Sequence, residues 1–472
     1  MPSRTDLERL AALDAHDQAA AVASGECAPE ELIFAAIERI ERWNPCVNAV
    51  TERNFERALE RARALDRSRP FAGVPLLLKD STEYPEMGWS CGSRAFARRR
   101  GQRRPAFVCR LEDAGLIVIG KTNMPEGGLL PSTEGLRFGA ARNPWNRAVS
   151  AGGSSGGAAA AVSCGMAPLA QASDGGGSIR IPAASCGVFG LKPSRGRVAR
   201  ARDEHWLEDL LVGDMMLTRS VRDAAAMLAI VTETSAHTSA ARQFVAGPCP
   251  RRLVIGVNLR NLRGEQPDAR VAAAIDAAVR LCRELGHEVR EFDWPFDCAP
   301  ALDHFIVIWR RLAHEFATTA AMAAGELEPW TLGLAAAHER GDPEALARAL
   351  DYVAHLPAAY DHAFSSVDVV MSPVAKSPTP ALGVHAPTRP FAELLEAVFD
   401  YVSYTPLHNL AGAPAMSIPL GLDACGLPQS VMLAARCGDE ATLLQLAHEL
   451  ASDVAPADRY VSVPPSSSMD VL

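Results

Sequence analysis

Two serine-bearing, glycine-rich segments constrain most strongly what this chain can fold into. The first, GGSSGG, spans residues 152–157; the second, DGGGSIR, spans residues 174–180. Glycine has no Cβ, so its backbone can turn sharply and approach a ligand closely. In the second segment, the N–H groups of Ser178 and of the preceding glycines can converge on an oxyanion, where each donor contributes roughly 3–4 kcal/mol. Either segment alone would suit a flexible loop with solvated serines, but the pair indicates a serine-based catalytic site.

A serine nucleophile needs a base that takes its proton. Histidine is the usual base, but nearly all of the 12 histidines follow residue 200, and neither glycine-rich segment contains one. Lys79 is an alternative, because it directly follows the apolar run VPLLL and should enter the core with it. Burial favours the neutral form of a lysine, which can act as a base. The competing interpretation is a lysine whose stem is buried and whose charged end reaches water.

Composition narrows the class of protein further. The 472 residues carry a net charge of −9, whereas proteins that bind duplex nucleic acid normally have a basic surplus. The 11 cysteines form no C-x-x-C pair, which favours free thiols in a reducing compartment. The first ten residues, MPSRTDLERL, lack the apolar region of a secretory signal, and no run has the composition of a membrane span. We therefore expect a cytoplasmic protein that binds neither nucleic acid nor membrane.

The order of apolar segments predicts an α/β fold. Pro29 and the two glutamates after it open an amphipathic helix that should end near Asn44-Pro45. Short buried strands are predicted within residues 71–79 and over residues 116–119. The same patterns predict helices over 268–285, 300–362 and 440–452, and strands over 253–257, 287–292, 367–371, 416–420 and 431–434. Helices that alternate with short buried strands are typical of α/β layering.

Two motifs point to other enzyme classes. Residues 115–122 (GLIVIGKT) match the nucleotide-binding pattern GxxxxGK[ST], but the four variable positions are apolar and predict a strand instead of a phosphate loop. Residues 152–156 also match the G-x-S-x-G elbow of α/β-hydrolases, with His408 as the candidate base. That elbow requires an apolar strand before it, and the preceding segment is polar. Both interpretations are therefore disfavoured.

Two charged segments are open to more than one interpretation. The arginines of residues 98–104 indicate either a solvated surface or a site for an anionic partner. Residues 200–212, with several acids and Trp206, suit either a polar or amine-bearing substrate or an ordinary surface. His314-Glu315 lacks the second histidine of an HExxH metal site, so we expect no metal.

Longer motifs together identify a family. The segments GVPLLLKD at 73–80, GGSSGG at 152–157 and DGGGSIRIPA at 174–183 resemble the amidase signature family. Further matches to the family's pattern occur at 120–123, 142–145, 186–193 and 409–415, and the similarity covers residues 25–235 and 365–455. The resemblance implies a central mixed sheet flanked by helices, and hydrolysis of a carboxamide bond in a small molecule without a cofactor. It is closer to stand-alone amidases, with some likeness to nylon-oligomer cyclic-dimer hydrolases.

The resemblance also implies roles for particular residues. Ser178 would be the nucleophile, Lys79 the general base, and Ser154, in a cis peptide, the bridge between them. The backbone N–H groups of four consecutive residues would form the oxyanion hole: Gly175, Gly176, Gly177 and Ser178. Three supporting residues complete the implied site: Ser155, Asp174 and Arg180.

The implied organisation is one domain over residues 1–472. It would comprise a helical arm (about 1–65), a core (about 66–235 and 365–455) and a variable helical region (about 300–362) that shapes the pocket. A homodimer is a common default for such enzymes. Two alternatives remain open: an amidotransferase A-type subunit that needs a partner chain, and a catalytically inactive binding homologue.

The chain departs from the family pattern at two positions. Gly175 stands where the family usually has threonine, which puts the rigidity of the second glycine-rich segment in question. Gly127 stands where many members have phenylalanine, so the acyl pocket should be reshaped or more open.

Overall fold

A mixed β-sheet forms the centre of the computed structural model, which describes residues 3–233, 245–320 and 326–452. Its strands in the described residues are β1 (Val50–Arg53), β2 (Pro75–Lys79), β3 (Ile117–Thr122), β4 (Leu169–Asp174), β5 (Phe189–Lys192), β6 (Gly213–Thr218), β7 (Val254–Val257), β8 (Glu288–Glu291), β9 (Val369–Ser372), β10 (Ala415–Leu422) and β11 (Pro428–Ala434). They lie in the order β1-β3-β2-β4-β6-β5-β10-β11-β9-β7-β8.

Helices flank this sheet. Those of the described residues are α1 (Arg4–Ala12), α2 (Ala15–Ala23), α3 (Pro29–Val47), α4 (Phe55–Arg63), α5 (Ala106–Asp113), α6 (Gly156–Ser163), α7 (Arg180–Cys186), α8 (Glu208–Leu211), α9 (Val221–Val231), α10 (Ala269–Glu284), α11 (Ala299–Thr319), α12 (Pro329–Glu339), α13 (Ala345–Ala363), α14 (Phe391–Tyr401), α15 (Pro406–Leu410) and α16 (Glu440–Ser452). A short 3-10 turn at Glu126–Gly128 follows β3.

The sheet combines parallel and antiparallel pairing. Strand β2 runs parallel to both β3 and β4, and β7 runs parallel to both β8 and β9. Between these flanks, the pairs β4–β6, β6–β5, β5–β10, β10–β11 and β11–β9 are antiparallel. The predicted α/β architecture with a mixed sheet and flanking helices is confirmed.

The apolar runs become strands buried on both faces. Every residue of β2 and of β3 is buried, as expected for parallel strands covered by helices. Lys121 of β3 is buried as well, and its Nζ donates to the Thr82 carbonyl oxygen. The GxxxxGK[ST] match is therefore a strand with a buried lysine, and it forms no phosphate loop.

Helix α3 runs one residue pair further than predicted. It begins at Pro29 as expected, but it continues through Pro45 to Val47 and ends at Asn48 in the left-handed conformation. Proline removes a single backbone donor, and the buried side chains of Trp43 and Val47 keep the last turn packed against the core. The tertiary contacts here outweigh the local stop signal.

The sequence patterns missed four strands: β1, β4, β5 and β6. Strand β1 lies in the arm predicted to be helical, and it pairs with β3. Strand β4 (LAQASD) was missed because polar side chains occupy a strand in which five of six residues are buried. Gln171 and Ser173 are tolerated there because both form hydrogen bonds with Lys79.

Within the described residues, the predicted helical region at 300–362 contains α11, α12 and α13, and residues 321–325 lie outside the described residues. Its apolar side chains share a hydrophobic cluster with residues of α14, α15 and the turn after β3. This hydrophobic cluster covers the end of the sheet that carries the glycine-rich segments. Across the described residues, every helix is too short or too polar to span a bilayer.

The core around α3 offers a stability test. Trp43 is fully buried, so Trp43→Ala should lower the free energy of unfolding by about 3–5 kcal/mol. Trp206 is 53% exposed, and Trp206→Ala should change it by less than about 0.5 kcal/mol. Urea unfolding followed by circular dichroism measures both. Equal losses in the two variants would contradict this assignment of the core.

Candidate active site

The last residue of β2 brings an amine into a nest of hydroxyl groups. Strand β2 carries Lys79 into the core, where its side chain is 1% exposed. The Lys79 Nζ lies 2.8 Å from Ser154 Oγ, 2.9 Å from Ser155 Oγ and 3.0 Å from Ser173 Oγ. The interpretation of Lys79 as a lysine that reaches the surface is therefore wrong.

Burial shifts the titration of this amine. Removal from water lowers the pKa of Lys79 to about 7, although Asp214 and Asp174 act in the opposite direction. The three hydroxyl groups are neutral and cannot fully replace the hydration of an ammonium ion. Near neutral pH the amine can therefore lose its proton and accept a hydrogen bond from a serine hydroxyl.

Strand β4 positions the lysine from the neighbouring side. The backbone N–H of Lys79 donates to Gln171 Oε1 at 3.0 Å, and Ser173 meets the lysine amine two residues further along the strand. Neither residue lies in a motif that predicts a functional role from the sequence. Their signal was available, since alternate polar residues precede the second glycine-rich segment and share one face of a strand.

The first glycine-rich segment holds Ser154 beside the amine. The Gly153–Ser154 peptide is cis, as the resemblance implied. Thr133 anchors the segment from both sides: its Oγ1 donates to the Gly152 carbonyl at 2.9 Å and accepts from the Gly156 N–H at 3.1 Å. Helix α6 then begins at Gly156 and carries the chain back into the core.

Ser178 lies in the second glycine-rich segment, two residues before α7. It is 9% exposed and lines the same cavity as Lys79, Ser154 and Ser173. Within the described residues, the Ser178 hydroxyl forms no hydrogen bond, and it is therefore not bonded to Ser154. The structure thus brings the three predicted catalytic residues to one cavity, with Lys79 and Ser154 in direct contact.

The backbone donors of this segment are not equivalent. Gly177 N–H donates to Asp174 Oδ1 at 2.7 Å, so the prediction that it serves an oxyanion hole needs correction. An amide has one proton, and here a carboxylate accepts it. For Gly175, Gly176 and Ser178, no acceptor of the backbone N–H occurs in the part of the chain that the structure describes. These three donors remain candidates for the oxyanion hole.

A buried ion pair fixes the shape of the segment. Arg180 Nε and Nη2 donate to the two oxygens of Asp174 at 2.9 and 2.8 Å, and both side chains are fully buried. Burial alone would raise the pKa of Asp174, but the Arg180 guanidinium and Asn409 hold it well below its usual range. Bidentate geometry of this kind sets orientation as well as distance.

Asn409 completes the network and was not assigned a role from sequence. Its Nδ2 donates to the carbonyl and to the carboxylate of Asp174, at 2.9 and 3.0 Å, while its Oδ1 accepts from Arg180 at 2.6 Å. The motif at 409–415 was recognised as part of the family pattern. The contacts of Asn409 with Asp174 and Arg180 depend on the fold, which places α15 beside the second glycine-rich segment.

His408 takes no part in this arrangement. It is buried, its Nδ1 lies 2.8 Å from the Tyr360 hydroxyl, and burial holds the pKa of the ring well below its ordinary value. The side chain in contact with Ser154 is Lys79. The α/β-hydrolase interpretation with His408 as base is therefore wrong. No group of three or more His, Cys, Asp or Glu side chains in the described residues is arranged to hold a metal ion.

A cavity of ≈ 390 Å³ opens over the serines. Its apolar wall includes the aromatic side chains of Trp89, Phe96, Trp309 and Phe316, and part of its polar wall comes from residues 201–214. Seven residues of the 200–212 segment line this cavity, and a role of the segment in substrate binding stays a prediction. Trp206 is an exception, because it does not line the cavity and is 53% exposed.

Side chains of α11 fill the space left by the two departures from the family pattern. A Cβ added to Gly175 would lie 3.2 Å from the Trp309 ring, and one added to Gly127 would lie 3.5 Å from Phe316. Phe305, stacked on Trp309, covers Gly176 so closely that a Cβ there would lie 2.5 Å from its ring. The glycines thus remain packed, with aromatic rings from another element against them.

Comparison with known proteins agrees with this architecture. The family described as Amidase matches residues 31–444. The chain is 35% identical over 452 residues to the protein that carries the name amidase AmiC in Mycobacterium tuberculosis, with 94% of this chain and 95% of the relative covered. It is 32% identical to the 6-aminohexanoate-cyclic-dimer hydrolase of a Pseudomonas species, with 93% and 94% covered.

A solved structure gives the same result in three dimensions. The structure of a 6-aminohexanoate cyclic dimer hydrolase complexed with substrate superposes with a TM-score of 0.87 at 29% identity, covering 96% of this chain and 99% of the other. The mixed sheet and the serine-lined cavity therefore define a hydrolase of carbon–nitrogen bonds with an α/β fold, distinct from the α/β-hydrolase class. The chain belongs to the amidase signature family, and its activity is amide hydrolysis.

The Asp174–Arg180 pair provides a test of the site's framework. Asp174→Asn leaves the Arg180 guanidinium buried without a carboxylate, which should cost about 3–5 kcal/mol of unfolding free energy and lower kcat. Asp342→Asn, which removes an exposed ion pair with Arg348 outside the cavity, should cost less than about 1 kcal/mol. Denaturant unfolding and steady-state kinetics compare the two. A stable, active Asp174→Asn enzyme would show that the ion pair does not organise the segment.

Proposed function

We propose that this protein hydrolyses a small-molecule amide through a covalent acyl-enzyme on Ser178, with Ser154 and Lys79 as its proton relay. The observation that supports this most directly is the buried Lys79 amine at 2.8 Å from Ser154 Oγ. A serine hydroxyl held against a desolvated amine can pass a proton to it. Ser155 and Ser173 hold the amine in place through its other hydrogen bonds.

In the first half of the reaction, neutral Lys79 takes the proton of Ser154 as Ser154 takes that of Ser178. The Ser178 oxygen forms a bond to the amide carbonyl carbon, and the carbonyl oxygen acquires negative charge. The N–H groups of Gly175, Gly176 and Ser178 receive that charge. Preorganised donors of this kind each contribute roughly 3–4 kcal/mol to the transition state.

The second half releases both products. The relay returns its proton to the leaving nitrogen, the carbon–nitrogen bond breaks, and the amine departs from the acyl-enzyme. Water then gives a proton to the relay and attacks the ester carbon, which frees the carboxylic acid and restores the Ser178 hydroxyl. The net reaction is an amide plus water to a carboxylic acid plus an amine or ammonia, and each step uses groups already in the cavity.

Two other functions keep the same fold. An amidotransferase subunit would use the serines to deliver ammonia to a partner chain, and an inactive homologue would only bind a ligand. The intact set of Lys79, Ser154 and Ser178 speaks against the second. Hydrolysis by the isolated chain, without a partner and without ATP, would distinguish a stand-alone amidase from the first.

Covalent labelling tests the nucleophile directly. A fluorophosphonate should add one mass equivalent to the wild-type chain and none to Ser178→Ala, because only an activated serine attacks such a reagent. Intact-mass spectrometry measures the adduct, and peptide mapping locates it. Ser430→Ala, which changes a serine outside this cavity, serves as the control and should label like wild type. An unchanged adduct in Ser178→Ala would mean that the nucleophile is misassigned.

The pH dependence of kcat/KM tests the base. Since burial lowers the pKa of Lys79 to about 7, the amine is protonated and inactive as a base below that pH. The rate should fall about tenfold per pH unit below the inflection and reach a plateau above it. A profile that is flat from about pH 5 to about pH 9 would exclude Lys79 as the titrating base.

A matched control separates Lys79 from a second buried lysine. Burial also lowers the pKa of Lys192 to about 7, but its Nζ donates to the Pro193 carbonyl and it lines no part of the catalytic cavity. Lys192→Met should therefore keep the inflection, whereas Lys79→Met should abolish turnover at every pH. Loss of the inflection in Lys192→Met would move the assignment to that residue.

A further inference from the structure

The cavity wall carries charged side chains that the proposed chemistry does not use. Five of them are carboxylates, and each has an arginine within ion-pair distance. The pairs are Asp203–Arg103 at 3.0 Å, Glu204–Arg200 at 3.8 Å, Glu208–Arg202 at 3.2 Å, Asp214–Arg202 at 2.6 Å and Glu315–Arg311 at 2.8 Å. Each carboxylate of this wall therefore already has an arginine partner within the protein, although Glu208 and Asp214 share Arg202.

Arg99 differs from every other charged residue of this wall. Its guanidinium carbon lies 3.5 Å from the centroid of the Trp89 ring and 5.5 Å from that of Phe96. Within the described residues, no carboxylate lies within ion-pair distance of Arg99, and its side chain donates no hydrogen bond. The residue is exposed, so a ligand that enters the cavity can reach it.

The surrounding loop holds this guanidinium in place. Trp89 Nε1 donates to the Ser81 carbonyl at 2.9 Å, and the Trp89 backbone N–H donates to the Arg99 carbonyl at 3.1 Å. The ring and the arginine are thus linked through the backbone as well as through stacking. A guanidinium stacked on a ring keeps its N–H groups, which lie in its plane, free for a planar acceptor.

Three neighbouring arginines of the same basic patch are already paired. Arg100 lies 3.6 Å from Glu52, Arg103 lies 3.0 Å from Asp203, and Arg104 lies 2.7 Å from Glu112. None of these pairs places its arginine in the catalytic cavity. The patch is therefore mostly a compensated surface, from which Arg99 alone joins the cavity wall.

We propose that Arg99 is the binding site for a substrate carboxylate, so that the preferred substrates are amides with a carboxylate remote from the scissile bond. The inference rests on the proposed function, because it treats the cavity over Ser178 as the substrate site. A carboxylate matches the fork of guanidinium donors and can accept two hydrogen bonds from it. The cavity of ≈ 390 Å³ is in the range that holds a whole small-molecule ligand.

Matched substrate pairs test this. The first series consists of para-nitroanilides of succinic, glutaric and adipic acids, each compared with the compound in which a methyl ketone replaces the free carboxylate. The second series places the carboxylate on the amine side, as acylated para-aminobenzoate compared with acylated para-aminoacetophenone. Each pair keeps size and planarity and changes only the charge. Several chain lengths are needed so that one of them spans the distance from Ser178 to Arg99.

Two variants isolate the guanidinium. Arg99→Met removes the charge and keeps a long side chain over Trp89. Wild type should prefer the carboxylate member of at least one pair, and Arg99→Met should lower that preference at least about fivefold, mainly through KM. Arg98→Met, in the neighbouring residue that does not line the cavity, should retain the wild-type preference. Arg99→Lys should retain part of it, because the charge remains without the planar fork.

The outcomes separate this inference from the proposed function. If Ser178 is labelled by a fluorophosphonate and the neutral amides are cleaved, but no pair in either series shows a carboxylate preference, Arg99 is not a carboxylate site. An equal loss in Arg98→Met and Arg99→Met would overturn it too. If the enzyme is labelled but cleaves none of the compounds, the two members of each pair are compared by how strongly each slows the labelling of Ser178. Absence of both labelling and hydrolysis would instead overturn the proposed function.

Discussion

The desolvation of the Lys79 amine is the constraint on which the rest of the site depends. Strand β2 is buried over its whole length, so the lysine at its end cannot reach water and must find partners inside. Three serine hydroxyls supply them, and each is neutral. A carboxylate in direct contact would have kept the ammonium charged and would have removed the base. Uncharged hydroxyl groups form hydrogen bonds with the amine without stabilising its protonated form. This explains why three serines contact one amine.

Placing an uncharged amine in the core leaves the second glycine-rich segment to be organised by other means. The Asp174–Arg180 pair, with Asn409, performs this task one layer away from the amine. The carboxylate of Asp174 also accepts the Gly177 N–H, which fixes the turn between the strand and α7. The charges of Asp174 and Arg180 neutralise each other. Asp174 raises the pKa of Lys79 only through a long-range electrostatic effect. The charged residues Asp174 and Arg180 thus hold the segment in shape, whereas the amine of Lys79, a separate residue, can become neutral.

Sequence patterns could predict the elements that are uniformly apolar, and the residues that recur in family motifs. Strands β2 and β3 were predictable for the first reason, and the meeting of Lys79, Ser154 and Ser178 in one cavity for the second. Strand β4 was not, because Gln171 and Ser173 are polar residues whose hydrogen-bond partner, Lys79, comes from another strand. The commitment of Gly177 N–H to Asp174 was equally hidden, since a backbone donor's partner depends on the folded turn.

The walls of the cavity come from elements other than those that surround the Lys79 amine. The serines and the lysine come from strands and loops of the sheet, whereas Trp309 and Phe316 come from α11 and Arg99 from a surface loop. Trp309 and Phe305 pack directly on Gly175 and Gly176, so the helix shapes the substrate side of the site and supports the predicted oxyanion donors at the same time. A change in α11 therefore alters the room for the acyl group and the support of the glycine-rich segment together. Arg99 has no such coupling, because it touches Trp89 and no residue of the relay. In the proposed role of Arg99, a substitution at this residue would change the preference for substrate charge and leave the contacts of Lys79 and the glycine-rich segments unchanged.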